Sequence, residues 1–341
     1  MDTHLAWRCH TFGDYHQLSF DRIPTPELAP REVRIEVRAA AVAFHEMLMV
    51  QGLYQLKPPL PFTPGSEAAG VVTRVGAEVT RFKPGDKVIG AVRYGAHTEV
   101  LTVDEAQCLA LPGAFDFATG AAFLTAYKTA YVALVPRGAL RPGETLLVHG
   151  AAGGVGLAAV ELGKVLGARV IAAASSEAKL ALAARMGADA LIDTRQPRFR
   201  DAVRELTGGR GADVIYDPVG GDVFDESLHC IAPFGRLLVI GFAAGRIPSL
   251  AVNLALIKQF SVVGVRAGEF GRVDPAAGAQ AERGLLDLAS QGLLHPHVHA
   301  VLPLANLPEA FDQLSQRAVT GRLVLATESF APHARAAQAP Q

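Results

Sequence analysis

Seven residues in the middle of the chain, Gly150-Ala151-Ala152-Gly153-Gly154-Val155-Gly156, have the composition and spacing of a turn that cradles phosphates. An apolar run at 145–149 precedes them, and an Ala/Leu-rich stretch reaching Gly167 follows. Glycines at 150, 153 and 156 suit three tasks in such a place: a tight turn out of a strand, close approach of backbone to a pyrophosphate, and close packing of a helix on a sheet. The helix N-terminus then offers N–H donors and the positive end of its dipole. The spacing is G-x-x-G-x-x-G rather than the commoner G-x-G-x-x-G. A second strand-and-helix unit follows at once, so Ala151, Gly153, Gly154, Val155 and Gly156 are expected to bind a dinucleotide.

The choice of dinucleotide falls about 20 residues on, where an acidic residue closing the second strand selects the free ribose 2′-hydroxyl. Here the run at 168–174 ends in Ser175-Ser176. Glu177 falls inside the first turn of the next helix, where the helix dipole alone explains a carboxylate. Two hydroxyls with Lys179 one turn inward accept a 2′-phosphate, which favours NADPH over NADH. The plainer alternative is Ser176 as a helix N-cap and Lys179 as a solvated helix residue.

The surrounding elements match this role. From about 121 the chain alternates helices with purely apolar runs at 145–149, 168–173, 214–216, 237–240 and 261–265, as expected of strands buried on both faces of a doubly wound parallel sheet. Ligands of open α/β sheets bind at the carboxyl ends of strands, which marks Gly241, Phe242, Ala243, Val265 and Arg266 as nicotinamide-side candidates. Residues 1–120 read instead as short strands between turns, with V-R-I-E-V-R alternating from Val33 and a Lys83-Pro84-Gly85-Asp86 turn. The expected organisation is therefore α/β: a mostly-β part at 1–120, a cofactor domain at 121–266, a return to the first domain at 267–330, and a fraying tail at 331–341. Composition agrees, with 341 residues, 50% of them apolar, and 34 Gly and 21 Pro scattered throughout. A formal charge of -1 without like-charge runs argues against nucleic-acid binding. No window approaches 18 uninterrupted apolar residues, and the first ten residues do not read as an export signal. Three dispersed cysteines suggest neither a disulfide framework nor structural zinc, so a soluble protein of the reducing cytoplasm is expected.

Gly52-Leu-Tyr54-Gln, Pro61-Phe-Thr-Pro-Gly65-Ser-Glu67-Ala-Ala-Gly70, the Lys83 turn, Thr125-Ala-Tyr127, the glycine turn, Asp217-Pro-Val-Gly220-Gly221, Gly241-Phe-Ala-Ala-Gly-Arg-Ile-Pro248 and Gly321-Arg-Leu-Val-Leu325 occur in one order. In this the sequence resembles the medium-chain dehydrogenase/reductase superfamily, and within it the zinc-free quinone oxidoreductase (zeta-crystallin-like) family, over residues 1 to about 327. The resemblance implies a GroES-like catalytic domain, a Rossmann domain binding NADPH with Gly220 on its cofactor side, and a homodimer joined sheet edge to sheet edge. It places Thr125 beside the nicotinamide, Tyr54 at the active-site tyrosine position as proton donor or substrate wall, and Arg317 near the 2′-phosphate. Zinc-dependent relatives carry a cysteine near 44 and a histidine before Glu67, where this chain has Phe44 and Ser66, so no metal is expected.

Two departures from the family pattern stand out. Where relatives read V-N-F-x-D, the chain has Val42-Ala43-Phe44-His45-Glu46: an amide is lost at 43 and the carboxylate of Glu46 is displaced by a methylene. His45 is a candidate to replace the missing polar group. Asp193-Thr194 stands where relatives often carry a tyrosine near the adenosine. His295, His297 and His299 alternate, which predicts one face of an extended surface segment. The function expected is NADPH-dependent reduction of a small quinone or α,β-unsaturated carbonyl compound. Enoyl- or acryloyl-thioester reduction and an NADPH-binding sensor with little turnover are the alternatives.

Overall fold

The computed structural model describes residues 2–196 and 198–330, so the tail expected at 331–341 lies outside the described residues. The chain divides into two units, Met1–Thr125 with Pro296–Gln341, and Ala126–His295.

The first unit opens with a hairpin of β1 (Thr3–Arg8) and β2 (Ser19–Pro24), then β3 (Glu32–Val42), α1 (Phe44–Val50), β4 (Glu67–Val75), β5 (Lys87–Ala91), β6 (Val100–Asp104), β7 (Cys108–Ala110) and α2 (Phe117–Ala121). Helix α3 (Leu124–Val132) carries the chain into the second unit. That unit contains β8 (Thr145–Val148), α4 (Gly154–Val165), β9 (Arg169–Ala174), α5 (Glu177–Arg185), β10 (Ala190–Asp193), α6 (Phe199–Leu206), β11 (Ala212–Asp217), α7 (Gly221–Ser227), β12 (Ile231–Val239), α8 (Val252–Lys258), β13 (Ser261–Gly264), α9 (Ala267–Val273) and α10 (Pro275–Ser290). The chain returns to the first unit with β14 (Val298–Pro303), α11 (Leu307–Ser315) and β15 (Arg322–Ala326).

In the first unit the strands pair in the order β14-β15-β3-β4-β5-β7, with β6 on β3. The alternation read from Val33 puts Val33, Ile35 and Val37 into a core with Val72, Val88, Leu101 and Val103. The Lys83 turn closes as its residues dictate, Asp86 accepting the Lys83 N–H at 2.9 Å before β5 begins. Pairing of β15 with β3 sews the C-terminal segment into the sheet, and Trp7 Nε1 donates to Leu304 O at 2.7 Å from the other side of the sequence.

The second unit's sheet has the order β10-β9-β8-β11-β12-β13 with every pair parallel. Leu146, Leu147, Val148, Ile171, Val214, Ile215, Leu237 and Leu238 are wholly buried, the burial on both faces that apolar runs foretell. Strand order reverses between β8 and β11, and the glycine turn leaves β8 there. The α/β fold class, with a GroES-like unit and a Rossmann-type unit, is thus present.

One expected boundary is wrong. Residues 267–295 do not return to the first unit; they stay with the second, and the return begins at Pro296. The apolar face of α10, with Ala281, Leu285 and Ala289 buried, is what holds the segment there: Ala281 packs with Ala267 and with Val132 of α3. A carboxylate fastens the end of this segment. Glu161, on the inner face of α4, accepts Tyr127 Oη at 2.5 Å, the His295 backbone N–H at 3.0 Å and His295 Nδ1 at 3.0 Å. Glu161 thereby ties the first turns of the second unit to its last residue. Replacing Glu161 by Ala leaves a buried hydroxyl and an N–H without an acceptor, and should cost about 3 kcal/mol in guanidinium unfolding, against about 1 kcal/mol for Tyr127→Phe. Equal costs would show that the tie contributes little.

Candidate functional site

The second unit gathers the sequence-predicted cofactor residues along one edge of its sheet. Ala151 and Gly153 to Gly156 follow β8, Ser175 and Ser176 follow β9, Gly220 follows β11, Gly241 to Ala243 follow β12, and Val265 and Arg266 follow β13. All stand at the carboxyl ends of parallel strands. Gly150 turns with φ +56, and a Cβ on Gly156 would overlap the Gly150 carbonyl oxygen. Gly153 differs: its φ is -76, and a Cβ there meets only Gly150 O at 3.4 Å, an ordinary contact. Neither conformation nor space inside the chain demands glycine at 153. Gly153 is also the N-cap of α4 and provides no side-chain acceptor, so the helix starts without a cap from its own residue. Asp217 closes the turn after β11, its Oδ1 accepting the Val219 and Gly220 N–H groups at 2.9 Å each. Ala243 N–H reaches Pro218 O at 3.1 Å.

At the end of β9 the two serines part company. Ser176 is the N-cap of α5, accepting the Lys179 N–H at 3.4 Å, whereas Ser175 is exposed. Glu177 is exposed in the first turn of α5. Sequence reasoning passed over Arg195, just beyond β10, where Thr194 N–H bonds Ala174 O at 3.0 Å. Its guanidinium grips Asp193 and holds that carboxyl down at about 2. Asp193, the residue that departs from the family pattern, is thus half of an ion pair completed two positions on.

The first unit holds the other candidates. His45 and Tyr54 lie ring to ring, centroids 5.5 Å apart, both half-buried. Among the described residues neither His45 nor the Tyr54 hydroxyl has a hydrogen-bond partner for its side chain. Burial holds the His45 imidazole below its ordinary pKa, with Glu46 pulling the other way. Glu46 itself is buried and fully engaged: it accepts the Ala43 N–H at 2.9 Å, Ser66 N–H at 2.8 Å and Ser66 Oγ at 2.5 Å, and stands 3.5 Å from His97 Nε2. Its carboxylate secures the start of α1 to the strand entrance at Ser66. Arg317 follows α11 with φ +55.

Thr125 leads to a group that spacing did not reveal. Its N–H, and that of Leu124, donate to the carboxylate of Glu67, the Thr125 bond being 2.9 Å. Arg322 and His97 complete this buried set, with Arg322 Nε and Nη2 and His97 Nδ1 left without partners among the described residues. His97 gave no sequence signal, while Glu67 and Arg322 were visible only as members of longer motifs. The three alternating histidines do not act together: His295 bonds Glu161 in the second unit, and His299 Nδ1 bonds Thr320 Oγ1 at 3.0 Å in the first. Among the described residues no group of three or more His, Cys, Asp or Glu is placed to hold a metal ion.

Burial pushes the Glu67 carboxyl up to about 7, against the opposing pull of Arg322 and the Thr125 and Leu124 donors. A folded carboxyl raised above its unfolded value of 4.5 holds a proton that the unfolded chain has lost, so its contribution to stability is full below 4.5 and is lost as pH rises through 7. Glu67→Gln should flatten the stability profile across that window, by about 3 kcal/mol, in unfolding measured at several pH values. An unchanged slope would mean that Glu67 ionises as easily folded as unfolded.

Two family models match the chain, the alcohol dehydrogenase GroES-like domain over residues 29–136 and the zinc-binding dehydrogenase over residues 154–282. Quinone oxidoreductase-like protein 2 of Rattus norvegicus is 39% identical over 90% of this chain and 88% of its own length. The structure of Escherichia coli quinone oxidoreductase complexed with NADPH superposes with a TM-score of 0.87 at 29% identity, covering 94% of this chain and 99% of that one. CurK enoyl reductase gives a TM-score of 0.87 at 26% identity, over 96% of this chain and 100% of that one. With a GroES-like unit, a doubly wound sheet carrying a glycine turn at its switch point, and likeness of this extent, the chain is an oxidoreductase of the quinone oxidoreductase family in the medium-chain dehydrogenase/reductase superfamily.

Proposed function

We propose that the protein is an NADPH-dependent, metal-independent reductase of quinones or α,β-unsaturated carbonyl compounds. The observation that carries the cofactor reading is Gly153, a glycine that neither its backbone angles nor its neighbours require, at the uncapped start of α4. A diphosphate pressed against the backbone explains it, because any side chain there would occupy the ligand's place. The first N–H groups of α4, at Gly154, Val155 and Gly156, then receive the diphosphate oxygens. Ser175 and Lys179 take the 2′-phosphate, with Arg195 as an added cation, and no acidic residue closes β9 to oppose it. Gly220, Gly241, Phe242, Ala243, Val265 and Arg266 line the same strand ends and serve the nicotinamide half, while Thr125 and Arg317 are contacts implied by family likeness. The relative solved with NADPH supports the same choice.

When bound, reduced nicotinamide supplies a hydride. The chain's own part is to hold the acceptor, keep water away and stabilise the negative charge that grows on the acceptor oxygen. Tyr54, with a hydroxyl unspent on other side chains, is the donor for that oxygen. No metal is needed: Phe44 and Ser66 stand at the ligand positions of zinc-dependent relatives, and the Ser66 hydroxyl is spent on Glu46. Likeness to CurK enoyl reductase supports enoyl groups as the second acceptor class, thioester-linked ones among them being our own extension.

A homodimer is proposed on the open edge of the second unit's sheet. Among the described residues strand β13 has a partner on one side only, with Val262 39% exposed, and Val252, Leu256 and Ile257 of α8 are 70 to 78% exposed. An unpaired apolar edge of this kind suits a second copy of itself. Three free, buried cysteines suit the reducing cytoplasm. Among the described residues no helix is long and apolar enough to cross a membrane.

Oxidation of NADPH and NADH by 9,10-phenanthrenequinone and by a small enone, followed optically, tests the reading. Turnover with NADPH preferred, and that preference lost in Lys179→Ala, is expected; oxidation of neither coenzyme would defeat it. Gly153→Val should weaken NADPH binding at least 100-fold while the protein stays folded, since the backbone angles and the space at the Cβ tolerate a side chain. Retained binding in this variant would remove the turn from the cofactor site.

A further inference from the structure

From the pairing of His45 with Tyr54 we infer that His45 is a catalytic residue, whose imidazole N–H donates a hydrogen bond to the acceptor's carbonyl oxygen beside the Tyr54 hydroxyl. The inference rests on the reductase reading and names a second donor for the same oxygen. Three observations carry it. The rings are 5.5 Å apart and tilted by 45°, so two polar groups stand within the span of one small planar ligand. Both side chains are half-buried, and among the described residues neither ring has a hydrogen-bond partner, whereas Glu46, Ser66 and His97 close by each have one. Finally, the residue two positions earlier, Ala43, is buried and apolar and donates only its backbone N–H, to Glu46, so no side-chain amide from that turn competes for the role.

The charge state of His45 fixes what it does. The groups acting on it are Glu46 from its own helix, which favours the charged ring, and Arg322 from β15 and His97 from the segment between β5 and β6, which join burial in disfavouring it; burial is the largest influence and the balance holds the ring below its ordinary pKa, neutral at neutral pH. A neutral imidazole holds one N–H and gives it up only at extreme cost, so it stabilises developing charge without transferring a proton. The balance closes without it: the acceptor gains a hydride and one proton, the proton comes from water, and His45 ends as it began.

The test compares wild type with His45→Leu and His45→Gln, the glutamine placing an amide N–H close to the lost ring nitrogen. With 9,10-phenanthrenequinone, His45→Leu should lose roughly 10²-fold in kcat at unchanged NADPH affinity, and His45→Gln should recover most of the loss. Independently of turnover, the imidazole NH resonances of His45 should shift when the product hydroquinone is added to the protein. Wild-type kcat in His45→Leu, a loss that glutamine does not restore, or a resonance that stays in place would each overturn the inference while leaving the reductase reading intact. Wild-type protein that reduces neither quinone nor enone would overturn both.

Discussion

Helix α4 begins where it does because residue 156 has no side chain. Its first turn rests on the carbonyl of Gly150, and a single added methyl group would overlap that oxygen. Lifting the helix by even a fraction of an ångström would open the contact of Leu157, Val160 and Leu162 with the sheet, all of them nearly or wholly buried. It would also shift Glu161, and with it the hold on Tyr127 and His295. The close approach therefore does two things at once. It packs the cofactor helix, and it aims that helix's uncapped N–H groups past the carboxyl end of β8, where strand order reverses. A reversal of order leaves a crevice because the flanking loops run to opposite faces of the sheet.

The first unit depends on a different constraint, the satisfaction of buried charge. Glu46, Glu67, Arg322 and His97 are all below one-tenth exposed, an arrangement that costs free energy unless each group is paired. Glu46 is paired completely. Glu67 is paired through backbone N–H groups at the head of α3, which leaves Arg322 with two unpartnered nitrogens. Such a set specifies geometry more than stability. It fixes Ser66, Ala43 and Thr125, three positions on separate elements, relative to one another.

Legibility from sequence followed the range of the interactions. Strand runs such as Leu146 to Val148 and the alternation from Val33 were readable because burial repeats with the local period, and the glycine turn was readable because its residues are contiguous. The place of residues 267–295 was not, since it depends on α10 finding Ala267 and Val132, 149 residues apart between Val132 and Ala281. Glu46 was recognised as a displaced carboxylate, but its bond to Ser66 spans twenty positions and leaves no local trace. His97 was invisible for the same reason. Arg195 was missed for a simpler one: an exposed arginine carries no pattern until the structure shows the carboxylate it holds.

The burial of the three cysteines has a chemical corollary. Quinones and enones accept not only hydride but also thiolates, which add across the activated double bond and stay attached. A member of a family named for quinones is therefore exposed to arylation by the molecules it meets. Cys9, Cys108 and Cys230 are each no more than 1% exposed, and burial pushes the thiols of Cys108 and Cys230 up to about 12 and raises that of Cys9. At neutral pH roughly one in 10⁵ of the two higher thiols is ionised, which leaves little nucleophile to react. The fold thus withholds its thiols from electrophiles of that kind.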